Sequence, residues 1–375
     1  MLKGVQLQLR MATGGGTPAP VPRKTIEALD TVEVRVEPAQ ATFQLTFSVD
    51  RRSDMLAGFL PTDQAPVPAR LVLAVTVNGA PDVLIDGLVT HQELNPGNAG
   101  SNATLTVTGE DLTVLMTKEE LTGTPFAGME PIARVQQIIE KYAQWGITPE
   151  VVRPAFKEAF TPAQATPQQH GHDLDYLRQL ASAVGHVFYL RTTPQPGSTV
   201  AYWGPQVRQG NPQPPINVDL DSHTNADSLS FTFDQTQAED PQARTQDPET
   251  KQSQIVTPPP PPAGQLLGRV QPAPFRRRIV SEAANRTPAQ ATMIAQGIAA
   301  RTAESVTATG KLSVTRYGRL LRARELVTLR GSGAAFDGLW WVDSVTHEVK
   351  RDAYAQSFTL KRSALGSSIA QVPPP

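Results

Sequence analysis

The 375-residue chain contains no cysteine. Disulfide frameworks, thiolate metal sites and cysteine nucleophiles are therefore excluded, and the composition fits assembly in a cytoplasm. An excess of one charge is also missing, since 34 Lys and Arg stand against 35 Asp and Glu. That balance lacks the basic footprint of a nucleic-acid binder. No run approaches the roughly 18 apolar residues that cross a bilayer. The opening MLKGVQLQLRMATGGG alternates polar and apolar residues and carries no secretion-signal core. Nucleic-acid recognition and stable membrane insertion are not expected. A Gly-rich phosphate loop, a Gly-x-Ser-x-Gly elbow and a His-Glu-x-x-His helix are absent too, so neither catalysis nor a cofactor is expected.

Turn residues are abundant, with 34 Pro and 27 Gly, which favours many short strands over long helices. From Val5 to about Thr108 the period is mostly two: TVEVRV, TFQLTFSV, LVLAVTV and TLTVTG read as strands. Asn78-Gly79 marks a tight hairpin, because both of its residues tolerate positive φ. The period then changes. PIARVQQIIEKYAQWG predicts a helix opened by Pro131 and closed by Gly146, with Val135, Ile138 and Ile139 on one face. DLDYLRQLASAVG predicts a second, with Asp173 as its N-cap and Gly185 as its stop. VFYL and TVAYW form a hairpin. SLSFTF returns to period two. The polar, proline-rich stretch 235–264, with five prolines at Pro258 to Pro262, reads as a loop or linker. A helix from Pro288 to about Ala303, weakened by Gly297, precedes the strands KLSVT, ELVTL, LWWVDSVTHEV and AQSFTLK.

The chain is thus mainly β, with a first β module at 1–109, an inserted α/β module at 110–215 and a second β module at 216–375. A repeated tripeptide suggests how the β modules are related. LVTHQELN carries Val89, Thr90 and His91, and SVTHEVKR carries Val345, Thr346 and His347. Each follows an apolar segment and precedes a loop and a final alternating strand. These six residues are candidates for equivalent positions in a duplicated β unit.

Three features invite other readings. His170-Gly-His172-Asp173 could ligate a metal for hydrolysis, although Asp173 is explained as a helix cap. Trp340 or Trp341 could stack on a sugar, but consecutive aromatics in a strand point to opposite faces. FRRRIV, Phe275 to Val280, is the best candidate for anion contact and more often marks a solvated loop or a protein interface.

The order IDGLVTHQEL, LTVTGEDLTVLM, PIARVQQIIEKYAQWGI, HDLDYLRQLASAVGHVFYL and TVAYWGP resembles the late control D group of phage tail proteins. The same framework forms the hub part of VgrG proteins of type VI secretion. The motif residues here are Gly109, Asp111 and Leu112, Tyr142 to Gly146, and Asp173 or Asp175 with Leu177, Leu180, Ala181 and Gly185. The stretch from Glu325 to Arg362 is similar to the group's closing segment. The resemblance implies a structural baseplate hub of a contractile tail or injection particle, with two tail-tube-like β-barrels per chain around the α/β module. It implies a homotrimer with pseudo-sixfold symmetry, placed between a hexameric tail tube and a trimeric spike beside other baseplate proteins. The chain closes at SSIAQVPPP, so the spike is expected to be a separate protein.

Overall fold

The computed structural model describes residues 4–13, 16–50, 59, 68–97, 102–154, 166–206, 208, 210–246, 252–258, 267–281 and 288–367. Its first third contains β1 (Val5–Thr13), β2 (Ala19–Pro20), helix α1 (Arg23–Ala28), β3 (Leu29–Val36), β4 (Ala41–Val49), β5 (Ala69–Val77), β6 (Ala80–Asn95) and β7 (Ala103–Asp111). Every second residue of β4, from Ala41 to Val49, is buried, as period two requires of a sheet with one wet face. Asn78 and Gly79 take φ of 50° and 83° and turn β5 into β6. Both positive angles match the twist of the hairpin.

Helix α2 (Pro131–Glu140), β8 (Ile147–Val151), helix α3 (Asp173–Ala183), β9 (Val187–Thr192) and β10 (Thr199–Gly204) follow. The three strands pair in the order β8-β10-β9. Val135, Ile138, Ile139, Leu177 and Trp203 share a core of their own beneath the helices. Gly146 has φ 73°, the left-handed position that ends this helical region at little steric cost.

The last part contains β11 (Gln213–Asn217), β12 (Ala226–Phe233), β13 (Glu239–Gln246), β14 (Ser253–Val256), β15 (Arg276–Val280), helix α4 (Pro288–Thr302), β16 (Val306–Ser313), helix α5 (Val314–Tyr317), β17 (Leu326–Arg330), β18 (Gly338–Lys350) and β19 (Tyr354–Arg362). The stretch 235–264 is therefore more than the loop its composition suggested, since β13 and β14 lie within it. Ala243 and Val256 pack against Ile294 and Ile298 of α4, and that partner comes from a segment the local sequence does not reveal. Pro259 to Pro262 lie outside the described residues, as does the terminal VPPP.

The two β modules are joined. Their strands form one sheet running β12-β16-β19-β18-β3-β4-β7-β6-β5-β1-β2, with β17 on β18 and β11 on β17. A single core containing Phe43, Leu45, Leu105, Val306, Trp340 and Leu360 lies behind both halves. Where two barrels were expected, the described residues form one open ladder. The C-terminal half of β18 extends past β17 and pairs with β3 from Val345↔Val36 to Lys350↔Thr31.

Candidate assembly surfaces

The ladder contains a repeat. In the first half the order is β3-β4-β7-β6-β5, and in the second β12-β16-β19-β18-β17, the same path through five strands taken in the same chain order. Two of the irregularities repeat as well. The first strand of each half is bulged at its start, between Leu29 and Thr31 in β3 and between Ala226 and Ser228 in β12. The long strand of each half is bulged where it bends, between Val89 and His91 in β6 and between Val342 and Ser344 in β18. Bulges re-aim a strand at a defined position, so these fix the correspondence residue by residue.

That correspondence places the tripeptides on matching strands but not on matching rungs. Val89, opposite Gly109, answers to Val342, opposite Leu360. Thr90 answers to the bulged Asp343 and His91 to Ser344. Val345, Thr346 and His347 lie three residues further on, level with Gln92, Glu93 and Leu94. His91 and His347 consequently have different surroundings. His91 is exposed, whereas His347 is buried, with Nδ1 2.9 Å from the Tyr354 hydroxyl and 3.4 Å from Gln356 Nε2. Burial lowers the His347 pKa to about 4.

A histidine that is harder to protonate folded than unfolded supports the fold fully above its unfolded pKa, near 6.5. It withdraws that support as pH falls toward the folded value, by up to about 3 kcal/mol. Buried His186, edge-on to Trp203 and also lowered to about 4, acts in the same window. Unfolding titrations between pH 6.5 and 4 are expected to show a shallower loss of stability for His347→Gln than for the unaltered protein. Parallel curves would contradict this.

Gly109 explains the Gly-x-Asp-Leu motif. A Cβ there would run into the Leu88 carbonyl oxygen and the Phe43 ring, so β6 and β7 can pair at this point only over a glycine. Asp111 then ends the strand. Its buried carboxylate accepts hydrogen bonds from the backbone of Ala41 (2.7 Å) and Thr113 (3.0 Å). Burial pushes its pKa up, against the pull of those bonds.

The other sequence candidates resolve structurally. Helix α3 begins at Asp173, one residue earlier than a capping role requires, with His172 at the N-cap. The Asp173 carboxylate instead accepts from Lys141 Nζ (3.0 Å), the Tyr142 hydroxyl (2.8 Å) and Gln169 Nε2 (2.8 Å), tying α3 to the end of α2. Nδ1 of His172 is 3.2 Å from an Asp175 oxygen. Among the described residues no cluster of three His, Asp or Glu is placed to hold a metal. Trp340 and Trp341 are 0% and 4% exposed, which closes both to a sugar. Trp340 belongs to the main core, and Trp341 packs on Leu267 and Leu326.

Sequence reasoning missed the surfaces that remain open. The edge of β12 ends the ladder. Among the described residues the second half of β6, Thr90 to Asn95, pairs with β7 on one side only, whereas its counterpart in β18 pairs with both β19 and β3. Leu94, on this one-sided stretch, is a large apolar side chain left 39% exposed. The polar face of the ladder carries mostly Ser and Thr, such as Thr42, Thr106 and Thr108 in one half and Thr309, Ser357 and Thr359 in the other. Its charges partly pair along the wall, as in Lys311 with Glu348 at 3.2 Å and Arg35 with Glu33 at 3.5 Å.

The ends of the ladder also differ. The α/β module leaves after β7, at the end where β3 turns into β4. The β12 to β16 connection, with β13, β14, β15 and α4, leaves at the matching end of the second half. The opposite end carries the β6 to β7 and β18 to β19 connections, one from each half.

No family model matches the chain, and no curated protein matches it. Solved structures share its fold. A tail protein from Neisseria meningitidis MC58 aligns with a TM-score of 0.62 at 14% identity, covering 95% of this chain and 96% of that one. The 43 kDa tail protein of prophage MuSo2 from Shewanella oneidensis aligns with a TM-score of 0.59 at 14% identity, covering 95% and 98%. A PdpA-VgrG complex of Francisella aligns with a TM-score of 0.59 at 8% identity, covering 100% of this chain and 60% of that one.

Proposed function

We propose that the chain is a non-enzymatic structural hub of a tail baseplate or injection particle, and that three copies close into a ring between a sixfold tube and a threefold spike. One observation carries this reading: among the described residues, the β12 edge and the one-sided half of β6 match the two edges already joined inside the chain. His347 of β18 stands opposite Val34 of β3 at the internal joint. Leu94 corresponds to His347, and Phe231 of β12 corresponds to Val34. Pairing β6 of one chain with β12 of the next would repeat the internal joint, placing Leu94 opposite Phe231 of the next chain. Three chains closed this way leave neither the β12 edge nor the second half of β6 unpaired, which removes the aggregation hazard of those two edges.

In such a ring each half acts as one tube-type β unit, and the Ser and Thr face lines the channel. The end with matching connections from both halves offers six similar surfaces to a hexameric tube. The end with the α/β module and the β12 to β16 insertion offers three, which suits a trimeric spike or other baseplate proteins. The location that follows is the baseplate of a virion or injection particle, after assembly in the producing cell.

Because the chain has no cysteine of its own, the joint can be tested by a disulfide. Directly opposed residues of an antiparallel pair have Cα atoms about 4.5 to 5.5 Å apart, within disulfide reach. The double variant Leu94→Cys with Phe231→Cys is expected to give covalent trimers on oxidation. The control His347→Cys with Val34→Cys should cross-link within one chain. Covalent monomers alone from the first variant, at concentrations where light scattering shows assembly, would exclude this joint.

A further inference from the structure

The β12 to β16 insertion has one face that the described residues leave open. Its sheet, β14-β13-β15, packs Ala243, Val256 and Val280 onto α4. In turn α4 rests on α3, at a point where a Cβ added to Gly297 would lie only 3.0 Å from the Gly185 Cα. Gly297, a weak point by helix propensity, is thus what lets the two backbones meet. The layers run from the α/β module through α4 to the small sheet, so the outer face of that sheet points away from the chain's own α/β module.

The register puts Arg244 opposite Ile255, Gln242 opposite Ile279 and Asp240 opposite Arg277 on that outer face. Ile255 is 58% exposed and Ile279 55%, and Phe275, just before β15, is 63% exposed. Exposed apolar side chains beside arginines are the composition of a protein interface core. Arg277 is only weakly matched inside the chain, 3.5 Å from Asp240 with 69% of its side chain exposed. β15 is the FRRRIV run of the sequence.

We propose that this face docks on the α/β module of the neighbouring copy in the ring. The inference rests on the ring reading above. Two observations select a second copy as the occupant. The insertion grows directly from β12, the strand assigned to the joint, so it stands at the boundary with the next chain, whose β6 and β7 lead into that chain's α/β module. The charges are also complementary: the α/β module exposes Glu119, Glu120, Glu130 and Glu140, four carboxylates that can meet the arginines. The contact is an Arg and Ile face against a glutamate-bearing flank, separate from the β6 to β12 joint.

The test uses the full chain. The variant Ile279→Cys, which carries a single thiol, is expected to react with a maleimide about tenfold more slowly in the trimer than in dilute monomer. Arg277→Glu should weaken trimer formation about tenfold in sedimentation equilibrium, and adding Glu119→Arg and Glu120→Arg should restore it. Equal thiol reactivity in monomer and trimer, with the Leu94 to Phe231 disulfide still forming, would overturn this contact and leave the ring standing. Loss of both the disulfide and the protection would overturn the ring itself. A trimer unaffected by Arg277→Glu, with the thiol of the Ile279→Cys variant protected by an added acidic spike or tube protein instead, would reassign the face to that partner and overturn the proposal.

Discussion

Asp86→Ala is expected to lower the free energy of unfolding by about 3 to 5 kcal/mol, the range for breaking one partner out of a buried ion pair. Arg70 and Asp86 face each other across β5 and β6 with side chains 3% and 0% exposed, joined by two hydrogen bonds of 2.8 and 2.7 Å. The same guanidinium donates to the carbonyls of Trp145 (2.7 Å) and Gly197 (3.3 Å), and Asp86 also meets the Thr199 hydroxyl at 3.4 Å. One ion pair therefore clamps the first β module to the α/β module. Burial pushes the Asp86 pKa up, against the pull of Arg70, which marks how costly this site is to keep charged. Without the carboxylate, Arg70 stays buried with a charge and no counter-charge. Hydrogen exchange should rise first in β8 and β10, beside the clamp. The paired apolar replacement Arg70→Met with Asp86→Leu should cost less than Asp86→Ala alone, because no charge is left stranded. Chemical denaturation of the three proteins measures both differences. A single replacement costing under about 1 kcal/mol would show the pair to be a surface-like contact.

Trp340→Ala is the second large effect, expected at about 3 to 5 kcal/mol for an aromatic side chain removed from a close-packed core. The indole is fully buried, its Nε1 donates to the Phe336 carbonyl at 2.8 Å, and its ring lies 5.9 Å from that of Phe231. Arg362 sits over it at 4.4 Å and donates to the carbonyls of Phe336 and Asp337. Removing the ring opens a cavity and loosens the loop that Arg362 holds. Since Phe231 lies on β12, the damage should reach the proposed assembly joint. Formation of the proposed trimer is expected to weaken at temperatures where the monomer is still folded. A stable monomer with undiminished assembly would show that the core behind β12 does not support that edge.

Much of this protein follows from local order in the chain. Alternation from Thr31 to Val36 and from Thr42 to Val49 is enough to make strands with one buried face. Asn78-Gly79 determines a hairpin, and Pro131 and Gly185 punctuate helices, because each acts through neighbours a few residues away. The repeated tripeptide also pointed to a recurring β unit, since Val-Thr-His lies in the long strand of both halves. What only the tertiary structure decided are the contacts between distant segments. The tripeptides fall three rungs apart because the bulges, and not residue identity, set the register. Asp173 ties two helices instead of capping one because Lys141 and Tyr142 arrive from another element. The stretch 235–264 includes strands because α4 supplies the core its own composition lacks. Pairing of β18 with β3 joins the halves through backbone hydrogen bonds, which carry no signature in side-chain sequence and leave the open edges visible only in three dimensions.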